Sequence, residues 1–136
     1  MATVDLNKDT FESTVVDNDI VLVDFWAAWC GPCKSFAPTY EKVSADHPDV
    51  VFGKVDTEDQ EELAQYFGIR SIPTLMIFRD QVGIFSQPGA LPEDALRNLI
   101  DQALALDMDK VREEIAKEQE TQEAAKEHET QEATSN

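Results

Sequence analysis

The stretch Ile20-Val21-Leu22-Val23-Asp24-Phe25-Trp26, followed after two alanines by Trp29-Cys30-Gly31-Pro32-Cys33, decides the fold. Its first seven residues are apolar except at Asp24, the pattern of a strand covered on both faces. After Cys30 the period changes. Cys33, Phe36, Ala37, Tyr40 and Val43 recur at threes and fours, which predicts a helix with one face on a core. A buried strand therefore delivers two cysteines to the first turn of a helix. Pro38 lies inside that helix and is expected to kink it, because proline removes a donor and crowds the preceding turn.

Working outward, residues 4–6 suit a short edge strand, and Asp9 is the expected N-cap of a helix through Phe11, Val15 and Val16. Residues 50–55 return as a strand. Residues 61–67 read as a short helix with Leu63, Ala64 and Phe67 inward and Gly68 at its C-cap. Residues 74–78 and 82–85 are expected to pair as a hairpin across Arg79-Asp80-Gln81. Pro92-Glu93-Asp94 opens a last helix, whose apolar face runs through Leu96, Leu99, Ile100, Ala103 and Leu104. Strands alternating with helices, then a hairpin and a helix, predict an α/β fold with a central mixed sheet flanked by helices on both faces.

Composition narrows the function. The 136 residues suit one domain with an appendage. With 28 acidic and 11 basic side chains the net charge is −17, and phosphates repel such a surface, so no nucleic-acid partner is expected. Two cysteines are too few for a multi-bridge scaffold, and their spacing points to redox or metal work. A zinc site needs about four ligands. The only histidines, His47 and His128, lie far apart in polar surroundings, so no metal is expected. The first residues hold no apolar run of signal-peptide length, and no run reaches a membrane span. A cytoplasmic protein with no membrane association is expected, acting as a monomer, in a compartment where such a pair cycles rather than persists as a staple.

From Asp107 the composition shifts. We read residues 1–106 as one domain and 107–136 as an acidic low-complexity extension, partly helical or disordered. Met108, Val111 and Ile115 extend helical spacing for about two turns, so 107–118 is expected as a marginal helix and 119–136 as frayed or disordered. Glu-Thr-Gln-Glu-Ala stands at 120–124 and again at 129–133.

At a helix start the N-terminal cysteine meets unpaired backbone N–H groups and the positive end of the helix dipole, which favour its thiolate. Cys30 is thus the expected attacking thiolate and Cys33 the resolving thiol. Gly31 and Pro32 fill the gap with restricted backbone and are expected to tune the reduction potential. Asp24 is costly to hold charged in an apolar strand, so burial is expected to raise its pKa and mark it as functional.

These residues carry a resemblance. The runs Val23-Asp24-Phe25-Trp26-Ala27, Trp29-Cys30-Gly31-Pro32-Cys33-Lys34, Ile72-Pro73-Thr74 and Gly89-Ala90 resemble the thioredoxin family in order and spacing, over residues 1–106. The resemblance implies the thioredoxin fold and a protein-disulfide reductase that draws electrons from thioredoxin reductase and passes them to disulfide-containing target proteins. It implies no cofactor beyond the redox-active Cys30–Cys33 pair. It gives Asp24 the work of exchanging a proton with Cys33 through water. It makes Ile72-Pro73 a cis-proline loop, and Trp29, Ile72, Pro73, Gly89 and Ala90 a substrate-docking patch around Cys30. Departures are also expected. The lysine that relatives carry beside the buried aspartate would fall at Phe52, leaving Lys54 as the candidate stand-in. Gln81 stands where the hairpin usually has glycine, so a looser turn is expected. Pro88 precedes Gly89 and would stiffen the docking loop. A second reading is a binding module or co-chaperone that uses the docking patch and the tail. It would keep working after both cysteines became serine.

Overall fold

The computed structural model describes residues 2–134, with side chains as far as residue 124. These residues divide into two units between Ala105 and Leu106.

The first unit is a five-stranded sheet in the order β1-β3-β2-β4-β5. Its strands are Thr3–Asp5 (β1), Ile20–Trp26 (β2), Val51–Asp56 (β3), Thr74–Arg79 (β4) and Val82–Pro88 (β5). Strand β3 runs parallel to both β1 and β2, whereas β4 runs antiparallel to β2 and to β5. The sheet is therefore mixed. The seven residues expected to form the central strand form β2, and all but Trp26 are buried.

Alternation along β2 divides the core. Ile20 and Leu22 face Phe36, Tyr40, Val43, Leu96, Ile100 and Ala103 of helices Gly31–Ala45 (α2) and Glu93–Ala105 (α4). Val21, Val23 and Phe25 face Phe11 and Val15 of Phe11–Asp17 (α1) and Leu63 of Glu61–Tyr66 (α3). Helices thus cover both faces, as the strand–helix pattern required. On the outside, Arg97 on α4 joins Glu93 at 3.2 Å and Asp46 past the end of α2 at 2.8 Å. Lys42 on α2 reaches Glu93 at 2.9 Å.

Several local expectations are corrected. Asp9 does not cap α1. The Asn7 Oδ1 accepts from the backbone N–H groups of Asp9 at 2.9 Å and Thr10 at 3.0 Å instead, so the polar side chain of the turn lies two residues earlier. Gly68 does end α3 in the left-handed region at φ 64°, and the Ile69 N–H bonds back to the Ala64 carbonyl at 2.9 Å. The hairpin turn is not loosened. Asp80 at φ 50° and Gln81 at φ 70° both adopt positive φ in a two-residue connection, without glycine. The irregularity falls further on, where the ladder shifts between Ile77 and Phe78.

In the second unit, Met108–Thr134 (α5) is one helix of 27 residues, longer than the two turns expected. The apolar spacing was the wrong guide. Ala, Glu, Gln and Lys are strong helix formers without any core. The start is also capped, since the Asp107 Oδ1 accepts from the Asp109 N–H at 3.1 Å and the Lys110 N–H at 3.3 Å.

Candidate active site

Cys30 is the N-cap of α2. Its backbone is extended, at φ −84° and ψ 113°, and Pro32 occupies the first turn, where its missing N–H costs nothing. Cys30 and Cys33 are joined by a disulfide, with their Cα atoms 5.2 Å apart. The Cys33 backbone N–H donates to the Cys30 Sγ at 3.2 Å. That sulfur occupies the place that a capping oxygen takes in other helices, aligned with free N–H groups and the dipole. Both cysteines are nearly buried, whereas Gly31 and Pro32 are exposed.

A second loop meets the disulfide. The Ile72–Pro73 peptide bond is cis. The Ile72 carbonyl oxygen lies 3.6 Å from the Cys30 Sγ, and the Ile72 side chain packs against Ala27, Cys30 and Cys33. Pro73 is buried, and its carbonyl accepts from the Gly89 N–H at 2.7 Å. Gly89 sits at φ 107°, a conformation that side chains resist. Sequence positions 30, 72–73 and 89 are thus brought together, with Ala90 exposed beside Gly89. Trp29, immediately before Cys30, is 68% exposed.

Asp24 lies on β2, two residues before Trp26, on the face of the sheet that α2 covers. Neither carboxyl oxygen has a hydrogen-bond partner. Burial pushes its pKa from 3.8 up to about 7, and the charge of Lys54 partly opposes that rise. Phe52 is not the residue beside it. Phe52 pairs with Leu22 and is fully buried among apolar groups, whereas Lys54 pairs with Asp24. The lysine is present after all. Its Nζ stands 4.8 Å from the centroid of the Trp26 ring.

Sequence reasoning missed the loop after β3. The Thr57 N–H and hydroxyl both donate to the Trp26 carbonyl, at 2.9 and 3.1 Å, and the Trp29 indole N–H donates to the Glu58 carboxylate. No spacing in the chain signals a partner 29 residues away. His47 takes no part in the site; it is half-buried and stacked 6.4 Å from Phe52.

A disulfide across one turn at a helix start, on a mixed sheet of this order, defines a thiol–disulfide oxidoreductase. The chain belongs to the thioredoxin family, whose pattern matches residues 2–102. It is similar to the putative thioredoxin 2 of Streptomyces coelicolor, at 64% identity over 87% of this chain and 88% of the relative. It is also similar to thioredoxin 1 of Synechococcus elongatus, at 44% identity over 70% of this chain and 91% of the relative. Among solved structures, a thioredoxin of Halobacterium salinarum superposes with a TM-score of 0.70 at 34% identity, covering 78% of this chain and 95% of that one. The thioredoxin of Malassezia sympodialis does so with a TM-score of 0.68 at 36% identity, covering 76% and 91%. The protein is a protein-disulfide oxidoreductase of the thioredoxin type.

Proposed function

We propose that the chain reduces disulfides in target proteins through Cys30 as nucleophile and Cys33 as resolving thiol. The observation that carries the assignment is the N–H bond from Cys33 to the Cys30 sulfur at a helix start. In the dithiol form that bond and the dipole favour a thiolate on Cys30. The Cys30 thiolate attacks one sulfur of the target disulfide, forming a mixed disulfide and releasing the first target thiolate. Cys33 then loses its proton and attacks the Cys30 Sγ. The Cys30–Cys33 bond forms, the mixed disulfide breaks, and the second target thiolate leaves. The target gains two electrons, and the protein's dithiol supplies them.

Asp24 is the group that takes the Cys33 proton, by way of water. Its support is a buried carboxyl with no partner and a pKa of about 7, where it both accepts and donates near neutrality. Gly31 and Pro32 restrict the loop and so tune the potential. Trp29, Ile72, Pro73, Gly89 and Ala90 form the docking patch, in which an extended target segment meets backbone groups around Cys30.

The electrons return from thioredoxin reductase, and the working group is the cysteine pair itself, with no added cofactor. We place this activity in residues 1–106 of a cytoplasmic monomer and treat 107–136 as an acidic extension dispensable for reduction. No helix among the described residues is long and apolar enough to cross a membrane.

The test is reduction of insulin disulfides with thioredoxin reductase and a nicotinamide cofactor, using the full chain, Cys30→Ser and a chain ending at Leu106. Turnover by the full and shortened chains but not by Cys30→Ser is the expected result. Failure of the full chain would favour a binding module that uses the patch and the extension.

A further inference from the structure

Tyr40 breaks the apolar rule of its own stripe. It lies seven residues after Cys33 on the buried face of α2, between Phe36 and Val43, where a phenylalanine ring would pack equally well. Its ring stands 5.5 Å from that of Phe36 and 5.2 Å from that of Phe52, and the side chain is fully buried. A hydroxyl at the tip of such a ring is costly to bury without a partner. It has one, because it donates to the Gly53 carbonyl at 2.9 Å.

That bond fixes which way the hydroxyl points. Gly53 immediately precedes Lys54, and Lys54 is the register partner of Asp24. Asp24 leaves β2 on the face that α2 covers, so the phenol tip and the carboxyl share one buried layer. The two groups feel each other, since burial first and the Asp24 charge second push the ionisation of Tyr40 up. A phenol has one proton to donate, and its oxygen also accepts. With the proton committed to Gly53, only an acceptor is left for the Asp24 side. An acceptor does nothing for a carboxylate but serves a protonated carboxyl, directly or through water.

The other groups on that face act otherwise. Lys54 on β3 favours the charged form of Asp24, and Cys33 on α2 is held in the disulfide. Leu75 on β4 and Leu96 and Ile100 on α4 are apolar. The buried hydroxyls of Ser44 and Thr74 donate to the Glu41 and Ser71 carbonyls, both at 2.6 Å.

We propose that Tyr40 is a positioning residue for Asp24: anchored on Gly53, its oxygen faces the buried carboxyl as an acceptor and favours the protonated acid. Lys54 and Tyr40 then act on Asp24 in opposite senses. The proposal rests on the reading of Asp24 as the group that takes the Cys33 proton.

The experiment follows the Asp24 carboxyl by carbon-detected NMR in the oxidised full chain and in Tyr40→Phe. Beside it runs the pH profile of single-turnover insulin reduction by the dithiol form of each. In Tyr40→Phe the Asp24 midpoint is expected to fall by about 0.5–1 pH unit, the size of one buried hydrogen bond. The rate profile should move down with it. An unmoved midpoint would overturn the proposal, even beside lost thermal stability, and would leave Tyr40 a packing residue. A midpoint that rises would overturn it too, because the hydroxyl would then be a donor to the carboxylate. A lowered midpoint beside an unmoved rate profile would uphold the hold of Tyr40 on Asp24 and overturn the base role of Asp24. If Tyr40→Phe does not fold, the parent decides. Its Tyr40 Cζ resonance should titrate with the Asp24 midpoint and lie flat in Asp24→Asn, and a flat parent curve would overturn the proposal.

Discussion

Asp24 on β2 and Lys54 on β3 are register partners in adjacent parallel strands, so both side chains leave the sheet on the same face. The cation is close enough to oppose the effect of burial on the carboxyl but does not cancel it. The result is an acid poised at about 7 rather than a permanently ionised pair. Removing either partner has an effect of definite sign.

Replacing Asp24 by Asn should change how stability depends on pH. The native carboxyl has a pKa raised from 3.8 to about 7, so its contribution is fully present below about 3.8 and is lost as pH rises to about 7. Relative to the parent, Asp24→Asn should gain roughly 4 kcal/mol between pH 4 and pH 8, at 1.36 kcal/mol for each pH unit of the interval. Urea unfolding of the oxidised proteins at both values measures it. Parallel pH profiles would mean that Asp24 is not the titrating group.

Lys54→Gln removes the charge that lowers the Asp24 pKa, so the carboxyl should titrate above about 7. Carbon-detected NMR of the Asp24 carboxyl follows this directly. The rate of target reduction should shift to higher pH in step, if Asp24 serves Cys33 as base. A carboxyl that titrates where the parent's does would separate the two residues.

In Cys33→Ser the first exchange still proceeds, but the mixed disulfide has no resolving thiol. Incubation with an oxidised target should therefore accumulate a covalent complex, visible on a non-reducing gel and dispersed by dithiothreitol. The Cys30→Ser protein should form none. Accumulation with Cys30→Ser instead would reverse the two roles.

The hairpin offers a test away from the chemistry. Gln81 is held at φ 70°, where a side chain costs about 1–2 kcal/mol and glycine does not. Gln81→Gly should raise the urea midpoint by the equivalent of about 1 kcal/mol, the remainder being lost to the greater freedom of the unfolded chain. A lower midpoint would show that contacts of the Gln81 side chain outweigh the backbone.

Features governed by neighbours in the chain were the ones legible in the sequence. The β2 run, the cysteine pair at a helix start and the apolar stripes of α2 and α4 each follow from periodicity, and each fixes local structure with little outside help. The burial of Asp24 was legible for the same reason, since six apolar neighbours leave the carboxyl no wet face. Relations between distant segments were legible only through the resemblance, which set Ile72-Pro73 and Gly89-Ala90 beside Cys30, or not at all. The Lys54 partnership depends on strand register, and a shift of two residues in that register would have put Phe52 beside Asp24. Glu58 has no pattern of its own and gains meaning only when its turn folds back onto Trp29. The length of α5 was missed because its apolar spacing stops at Ile115, whereas Ala, Glu, Gln and Lys carry the helix on by propensity.

Arg79 ends β4, and its guanidinium bonds to the Ala103 and Leu104 carbonyls, at 2.6 and 3.1 Å, where α4 runs out. Thr74 begins the same strand directly after Pro73. The first unit's exit is thus moored a full strand, about 15–20 Å, from the disulfide. Cargo genetically joined after Leu104 would be carried at the far end of the sheet from the reactive sulfurs, which makes this end of the domain a natural handle for tethering the reductant to other molecules.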